Sequence, residues 1–340
     1  MAHIAILVVE DDAADLRVID DTVVRYQKEH QREIHHTVCR SLEEAREKLS
    51  PSYDGAIVDL KLAGKSGAGN DVASELRKFY RVPVAVFTGT PGDADPNIPY
   101  VGIYKKGETK YDEIFDRLFA IQGTGLTRIM GGRGVIEEVM GEVFWKDVMP
   151  DMSTWIGYAT KGKDTEIPLL RLVIGHLSQL LREGAQTLPA EVYVRALETK
   201  YPSNGAIVER KSDGALAIVM TPSCDLAIRA NGECKTDRIC VCWIERVEAV
   251  AAVAHASGGK GAVDKLYKNA FAPYYHFLPN SGAFGGGVIN FRAIATFALE
   301  EFEAAFAKPL RQVSIYFVKD IIARFASFYA RQGQPDLDLE

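Results

Sequence analysis

Five short apolar runs, at residues 4–9, 36–39, 55–60, 82–88 and 100–104, recur through the first 122 residues with amphipathic segments between them. No other feature restricts the fold as strongly. Strands that are apolar on both faces and alternate with helices pack as a parallel sheet covered on both sides. The segment 13–30 carries Leu16, Ile19, Val23, Val24 and Tyr26 at largely helical spacing. Ser41 followed by Glu44, ahead of Ala45 and Leu49, reads as a capping box. Residues 69–80 and 110–121 supply two more helices. The fourth crossover differs: residues 90–99 hold Pro91, Pro96 and Pro99 and show no apolar period, which predicts a loop where a helix is expected.

Gly123-Thr124-Gly125 and Gly131-Gly132-Arg133-Gly134 then break the chain and set a domain boundary at 122. Residues 123–202 read as a helical connector, with Leu169, Leu170, Leu172, Val173, Leu177, Leu180 and Leu181 as an apolar stripe. Residues 203–340 change character again. Strand-like runs fall at 205–209, 215–220 and 238–247, and helices are predicted over 293–307 and 313–331. The expected architecture is α/β: a five-stranded doubly wound parallel sheet, followed by a mixed α+β domain with helical flanks and a small, mainly antiparallel sheet.

Composition narrows the function classes. The 340 residues are 47% hydrophobic and 25% charged, which excludes a largely disordered chain. The net charge is −6; residues 1–122 hold 21 acidic and 16 basic side chains, and the remainder 25 and 24. Neither part is basic enough to grip phosphate backbones by charge, so nucleic acid gains no support as a partner. No apolar run is long enough to span a bilayer; the nearest, 247–254, is interrupted by Glu248. The opening residues run from Ile4 straight into Glu10-Asp11-Asp12, as a buried strand does and a signal peptide does not. Five cysteines form no disulfide framework. A cytoplasmic protein is expected.

In a parallel α/β sheet, ligands bind beyond the carboxyl ends of the strands. Glu10 and Asp11 follow the first run, Asp59 lies near the end of the third, Thr88 ends the fourth, and Lys105 or Lys106 ends the fifth. Three acids, a hydroxyl and an ammonium at one rim make a hard-cation site beside a candidate nucleophile, and Mg²⁺ suits it. Taken singly, the acidic run is equally a helix cap.

Residues 1–122 resemble a response-regulator receiver domain of two-component signalling. The resemblance rests on Ile6-Leu7-Val8-Val9-Glu10-Asp11-Asp12, Ile57-Val58-Asp59-Leu60, Val86-Phe87-Thr88-Gly89 and Tyr104-Lys105-Lys106, in the family's order. It implies that Asp59 accepts a phosphoryl group from a histidine kinase or phosphotransfer protein. It also implies that Glu10, Asp11, Asp59 and the backbone carbonyl of Lys61 hold Mg²⁺, and that Thr88 and the lysine bind phosphoryl oxygens. Two departures stand out. Gly107 follows the lysines where the family usually has proline, so the register is open by one; Lys105 is favoured, with Lys106 beginning the turn. The loop 90–99 replaces the family's fourth helix, part of the surface through which many receivers dimerise. Output by intramolecular contact is therefore expected, with loop 90–99 or helix 110–121 packed against residues 123–185.

No output family is matched by residues 123–340, which show no recognition helix behind a tight turn and no phosphate loop. Thr221-Pro222-Ser223-Cys224-Asp225-Leu226 follows a strand, so Cys224 is a candidate nucleophile, with Asp225 as orienter and His255 or His276 as base. A buried cysteine beside a turn aspartate is the plainer reading. Cys224, Cys234, Cys240 and Cys242 lack the paired spacing of structural zinc sites; Cys240 and Cys242 share one strand face and read as core. His276 lies among aromatics that read chiefly as packing. Three outputs follow: an unassigned module gated by Asp59, an enzymatic effector of nuclease or hydrolase type, or a protein-binding adaptor.

Overall fold

The computed structural model describes residues 2–131, 134–180, 187–282 and 284–331. The chain divides into two units, Met1–Glu183 and Gly184–Glu340. Leu181 and the Gly132-Arg133 pair lie outside the described residues.

The first unit opens with β1 (His3–Val9), α1 (Ala13–His30), β2 (Glu33–Cys39), α2 (Leu42–Lys48), β3 (Gly55–Val58) and α3 (Ala68–Glu75), the last prolonged by a wider turn over Leu76–Tyr80. β4 (Val84–Thr88), β5 (Gly102–Lys105) and α4 (Tyr111–Gly123) complete the α/β part. The strands are parallel in the order β2-β1-β3-β4-β5. Alternation along β1 fills both faces. Ile4, Ile6 and Val8 pack with Tyr26 of α1 and Ile114, Phe115 and Leu118 of α4. Leu7 and Val9 pack with Ala45 of α2 and Val72 and Leu76 below α3. The expected doubly wound sheet is borne out. The capping box forms in part: Ser41 Oγ accepts from Glu44 N at 3.1 Å, while Glu44 reaches back to Arg40 N at 2.7 Å.

Between β4 and β5 there is no α-helix, only a single 3₁₀ turn over Pro91–Asp93. The loop lies on α3. Asn70 Nδ2 donates to Asp93 O at 2.8 Å, Asn70 Oδ1 accepts from Asp95 N at 3.2 Å, and Ile98 is buried beside Val72 and Leu76. Prolines deprive this segment of helical hydrogen bonds, and Asn70 supplies partners in their place. Loop 90–99 therefore packs on its own sheet's flank; of the two expected elements it is the helix, α4, that touches the segment after 123, at residues 126–130. Described polar contacts from the α/β part to the following helices come instead from Asp54 Oδ1, which accepts from Thr127 Oγ1 at 3.2 Å, and from Arg81, paired with Glu137.

Those helices are α5 (Leu126–Met130), α6 (Val135–Glu142), α7 (Met152–Ala159) and α8 (Glu166–Leu180). They belong to the first unit. Leu169, Leu172, Val173 and Leu177 of the predicted stripe are only half-buried, and Trp145, Ile156, Leu170 and Ile174 are exposed.

The second unit holds β6 (Tyr193–Val194), β7 (Ala206–Glu209), β8 (Leu216–Val219), α9 (Ser223–Leu226), β9 (Arg238–Glu245) and α10 (Val247–Tyr267). It continues with β10 (Tyr275–Leu278), β11 (Gly287–Ala298), α11 (Leu299–Ala305), β12 (Arg311–Val313) and α12 (Ile315–Tyr329). The strands form a seven-stranded antiparallel sheet in the order β10-β11-β9-β8-β7-β12-β6. One face packs Ile207, Ile218, Cys242 and Phe291 against Val318 and Ile321 of α12; the other packs Val208, Val219 and Val241 against Phe302 and Phe306. The predicted helix over 293–307 is corrected. Residues 293–298 belong to β11, paired with β9 from Ile294 opposite Cys242 to Ala298 opposite Arg238, and only Leu299–Ala305 is helical. Among the described residues no helix is long and apolar enough to cross a membrane.

Candidate functional site

The carboxyl ends of β1, β3, β4 and β5 open on one pocket, lined by Glu10, Asp11, Asp59, Thr88 and Lys106 among others. Sheet hydrogen bonds fix the backbone of each. Glu10 N donates to Cys39 O and Asp59 N to Val9 O, both at 2.9 Å, and Lys106 N donates to Thr88 O at 2.9 Å.

The centre of the pocket is the Lys106 ammonium. It donates to Glu10 Oε2 at 2.6 Å, Asp15 Oδ2 at 2.6 Å and Asp59 Oδ2 at 2.8 Å. Glu10 and Asp59 are buried, with side chains 4% and 8% exposed, and Asp15 is 36% exposed. Burial alone would make the ammonium easier to deprotonate. The three carboxylates reverse that and raise its pKa above the ordinary lysine value. Glu10 is raised too, first by burial, with the contacts from Lys106 and Asp12 N–H offsetting part of the effect.

Lys105, favoured on the sequence, is corrected here. Its ammonium points away from the pocket to Glu108, and Lys106 is the residue that meets Asp59. The physical reason is strand alternation. Tyr104 packs on the core beneath α1 and α4, so the residue two places on falls on the same side.

Each remaining acid has its own partner. Asp11 Oδ2 accepts from Ala63 N at 2.8 Å, in the loop after β3. Asp12 caps α1, accepting from Ala14 N at 2.7 Å and Asp15 N at 3.1 Å, and these two bonds hold its carboxyl below the usual range. Lys61 N donates to Asp59 Oδ1 at 3.2 Å, and Thr88, fully buried, accepts from Thr90 N at 3.3 Å. Asp15 was not singled out on the sequence. The signal was available: Asp15 stands three residues after the N-cap candidate Asp12, in the first turn of the helix that leaves the acidic rim.

The donor set suits Mg²⁺, which prefers a few carboxylate oxygens completed by water and phosphate. Glu10 and Asp59 already converge on one cation, the ammonium. Among the described residues, however, no group of three or more His, Cys, Asp or Glu is placed to hold a metal ion, the three acids around Lys106 being occupied by its ammonium.

In the second unit, the candidate output residues do not converge. Cys224 is exposed on α9, its Sγ 3.8 Å from Asp225 Oδ1, and Asp225 pairs with Lys235 at 3.4 Å. His276 is buried on β10, separated from the strand leading to α9 by β11 and β9, and His255 is exposed on α10. Three strand spacings amount to roughly 14 Å. Among the described residues His276 Nδ1 has no hydrogen-bond partner, and it lies 3.7 Å from Asp320; burial lowers its pKa to about 4. Cys242, and in part Cys240, pack beneath α12, and burial pushes the Cys242 thiol up to about 12.

No family model matches the chain, and no curated protein matches it. Among solved structures, the chain is similar to the non-phosphorylated HemR receiver domain from Leptospira biflexa, at 19% identity over 34% of this chain and 92% of that one, with a TM-score of 0.28. It is also similar to the response regulator TrrA from Thermotoga maritima in complex with Mg(2+)-BeF, at 22% identity over 36% of this chain and 99% of that one, with a TM-score of 0.26. A response regulator receiver protein from Pseudoalteromonas atlantica is similar at 16% identity over 36% and 98%, with a TM-score of 0.29. The five parallel strands in the order β2-β1-β3-β4-β5, flanked by helices on both faces, form a doubly wound sheet of the flavodoxin-like order.

Proposed function

We propose that this chain is a phosphorylation-controlled signalling protein. Asp59 accepts a phosphoryl group from the phosphohistidine of a histidine kinase or phosphotransfer protein, and residues 123–340 carry the output. The observation that carries this reading is the contact between Asp59 and the Lys106 ammonium at the carboxyl rim of the sheet. A carboxylate oxygen of Asp59 attacks phosphorus in line, the P–N bond breaks, and the imidazole leaves. Lys61 N–H orients the carboxylate, and Lys106 and Thr88 are placed to meet the phosphoryl oxygens. Mg²⁺, held by Glu10, Asp11, Asp59 and the Lys61 carbonyl, would neutralise charge on the transferring group.

For the output, protein contact is favoured over catalysis. The separation of His276 from Cys224 and Asp225 removes one of the two candidate bases of the nuclease or hydrolase alternative.

The test is incubation with phosphoramidate and Mg²⁺ followed by intact-mass analysis. The wild-type chain gains one acid-labile phosphoryl group and Asp59→Asn gains none. Undiminished labelling of Asp59→Asn overturns the assignment of the acceptor.

A further inference from the structure

We propose that Asp15 is a positioning residue for Lys106, holding its ammonium on the α1 side of the pocket and competing for it with a phosphoryl group on Asp59. The inference rests on the reading of Asp59 as acceptor and adds a regulator of the same site.

The argument begins with a count of donors. A lysine ammonium has three N–H groups and no acceptor. In this pocket all three are engaged, by Glu10 Oε2, Asp15 Oδ2 and Asp59 Oδ2. Asp59 gives up its carboxylate charge on becoming an acyl phosphate and so frees one N–H; a second N–H reaches the phosphoryl oxygens only if Glu10 or Asp15 releases it.

These two carboxylates differ in what release costs them. Glu10 is buried at 4% exposure, and a buried carboxylate that loses its cation is left poorly solvated. Asp15 is 36% exposed, so water can replace the ammonium there. Its carboxylate has no other described hydrogen-bond partner, whereas Glu10 also holds Asp12 N–H and Asp59 also holds Lys61 N–H. Asp15 is therefore the contact that yields. Its strength in the unphosphorylated state sets how readily Lys106 turns to the phosphoryl group. The distance of 2.6 Å, no longer than that to Glu10, shows that the contact is engaged in the resting pocket.

The experiment uses the full chain, with beryllium trifluoride as the phosphoryl mimic at saturating Mg²⁺. Asp15→Ala should bind the mimic about three- to tenfold more tightly than wild type, the range of a partly exposed charge-assisted contact. Asp15→Glu should restore wild-type affinity, which a merely structural role would not require. A second readout needs no metal: acetylation of Lys106, scored against Lys105 by peptide mass, should speed up a few-fold in Asp15→Ala as one acceptor is lost. Should Asp15→Ala fail to fold, Asp15→Asn takes its place. Equal or weaker mimic binding by the variant, or unchanged Lys106 labelling, overturns the proposal. Folded wild-type protein that binds no mimic at all overturns the acceptor reading instead.

Discussion

Gly69, in the first turn of α3, lies against the backbone carbonyl of Asp59; a β-carbon at Gly69 would stand 2.1 Å from that oxygen and 2.9 Å from Leu60 Cα. The helix thus seats directly on the strand end that carries the candidate acceptor, and only the absence of a side chain allows it. Gly69→Ala should cost about 2 kcal/mol of stability, since both obstructing atoms are backbone. It should also slow Asp59 labelling. Chemical denaturation and phosphoramidate labelling check the two effects; a variant equal to wild type in both would show that the helix can shift freely.

Lys106→Met removes the cation from three carboxylates at once. Near neutral pH the variant should lose about 2–4 kcal/mol, because charges at Glu10 and Asp59 are left buried and unpaired. Glu10, already raised by burial, loses the offset from Lys106, so the penalty is absent when it is protonated and grows as pH rises through the carboxylate range. The gap between variant and wild type should narrow below roughly pH 5. A gap that stays constant from pH 4 to 8 contradicts the three-way contact.

Mg²⁺ should stabilise the wild-type chain, by about 2.7 kcal/mol when present at 100 times its Kd. The double variant Glu10→Gln with Asp11→Asn removes two of the three side-chain anions proposed to hold it. Thermal unfolding with and without the metal tests this, and a metal-dependent shift that persists in the double variant argues against both ligands.

His276 predicts an acid weakness in the second unit. Its pKa falls from 6.5 to about 4 in the folded state because the ring is buried. The unfolded chain takes up the proton first, so stability is lost as pH falls from 6.5 to 4, by about 3 kcal/mol at the lower end. In His276→Gln that slope should be flatter. Denaturant midpoints across the range decide it, and identical slopes in the two proteins would refute the buried neutral ring.

The sequence makes the parallel sheet easy to see because its central strands, β1, β3 and β4, are apolar on both faces and its odd crossover is full of proline. The lysine register is harder. Choosing Lys105 gave weight to the turn, whereas the decisive fact is that Tyr104 points inward and Lys106 follows it by one period. In the second unit, Ala293, Ala295 and Ala298 suggest a helix, but pairing with β9 overrides that preference. β6 and β12 are two and three residues long, too short for any periodicity to register. The separation of Cys224 from His276 is a matter of strand order, which nearest-neighbour patterns along the chain do not encode.

The two outermost strands of the second sheet are among its shorter ones: β6 has two residues and β10 has four. The long strands β9 and β11, with eight and twelve residues, lie inside. An open edge is a template for another chain's strand, and its hazard grows with the number of unpaired backbone groups it presents. At β6 and β10 themselves an intruding strand finds only a handful of N–H and C=O groups, which limits edge-to-edge aggregation at those two strands.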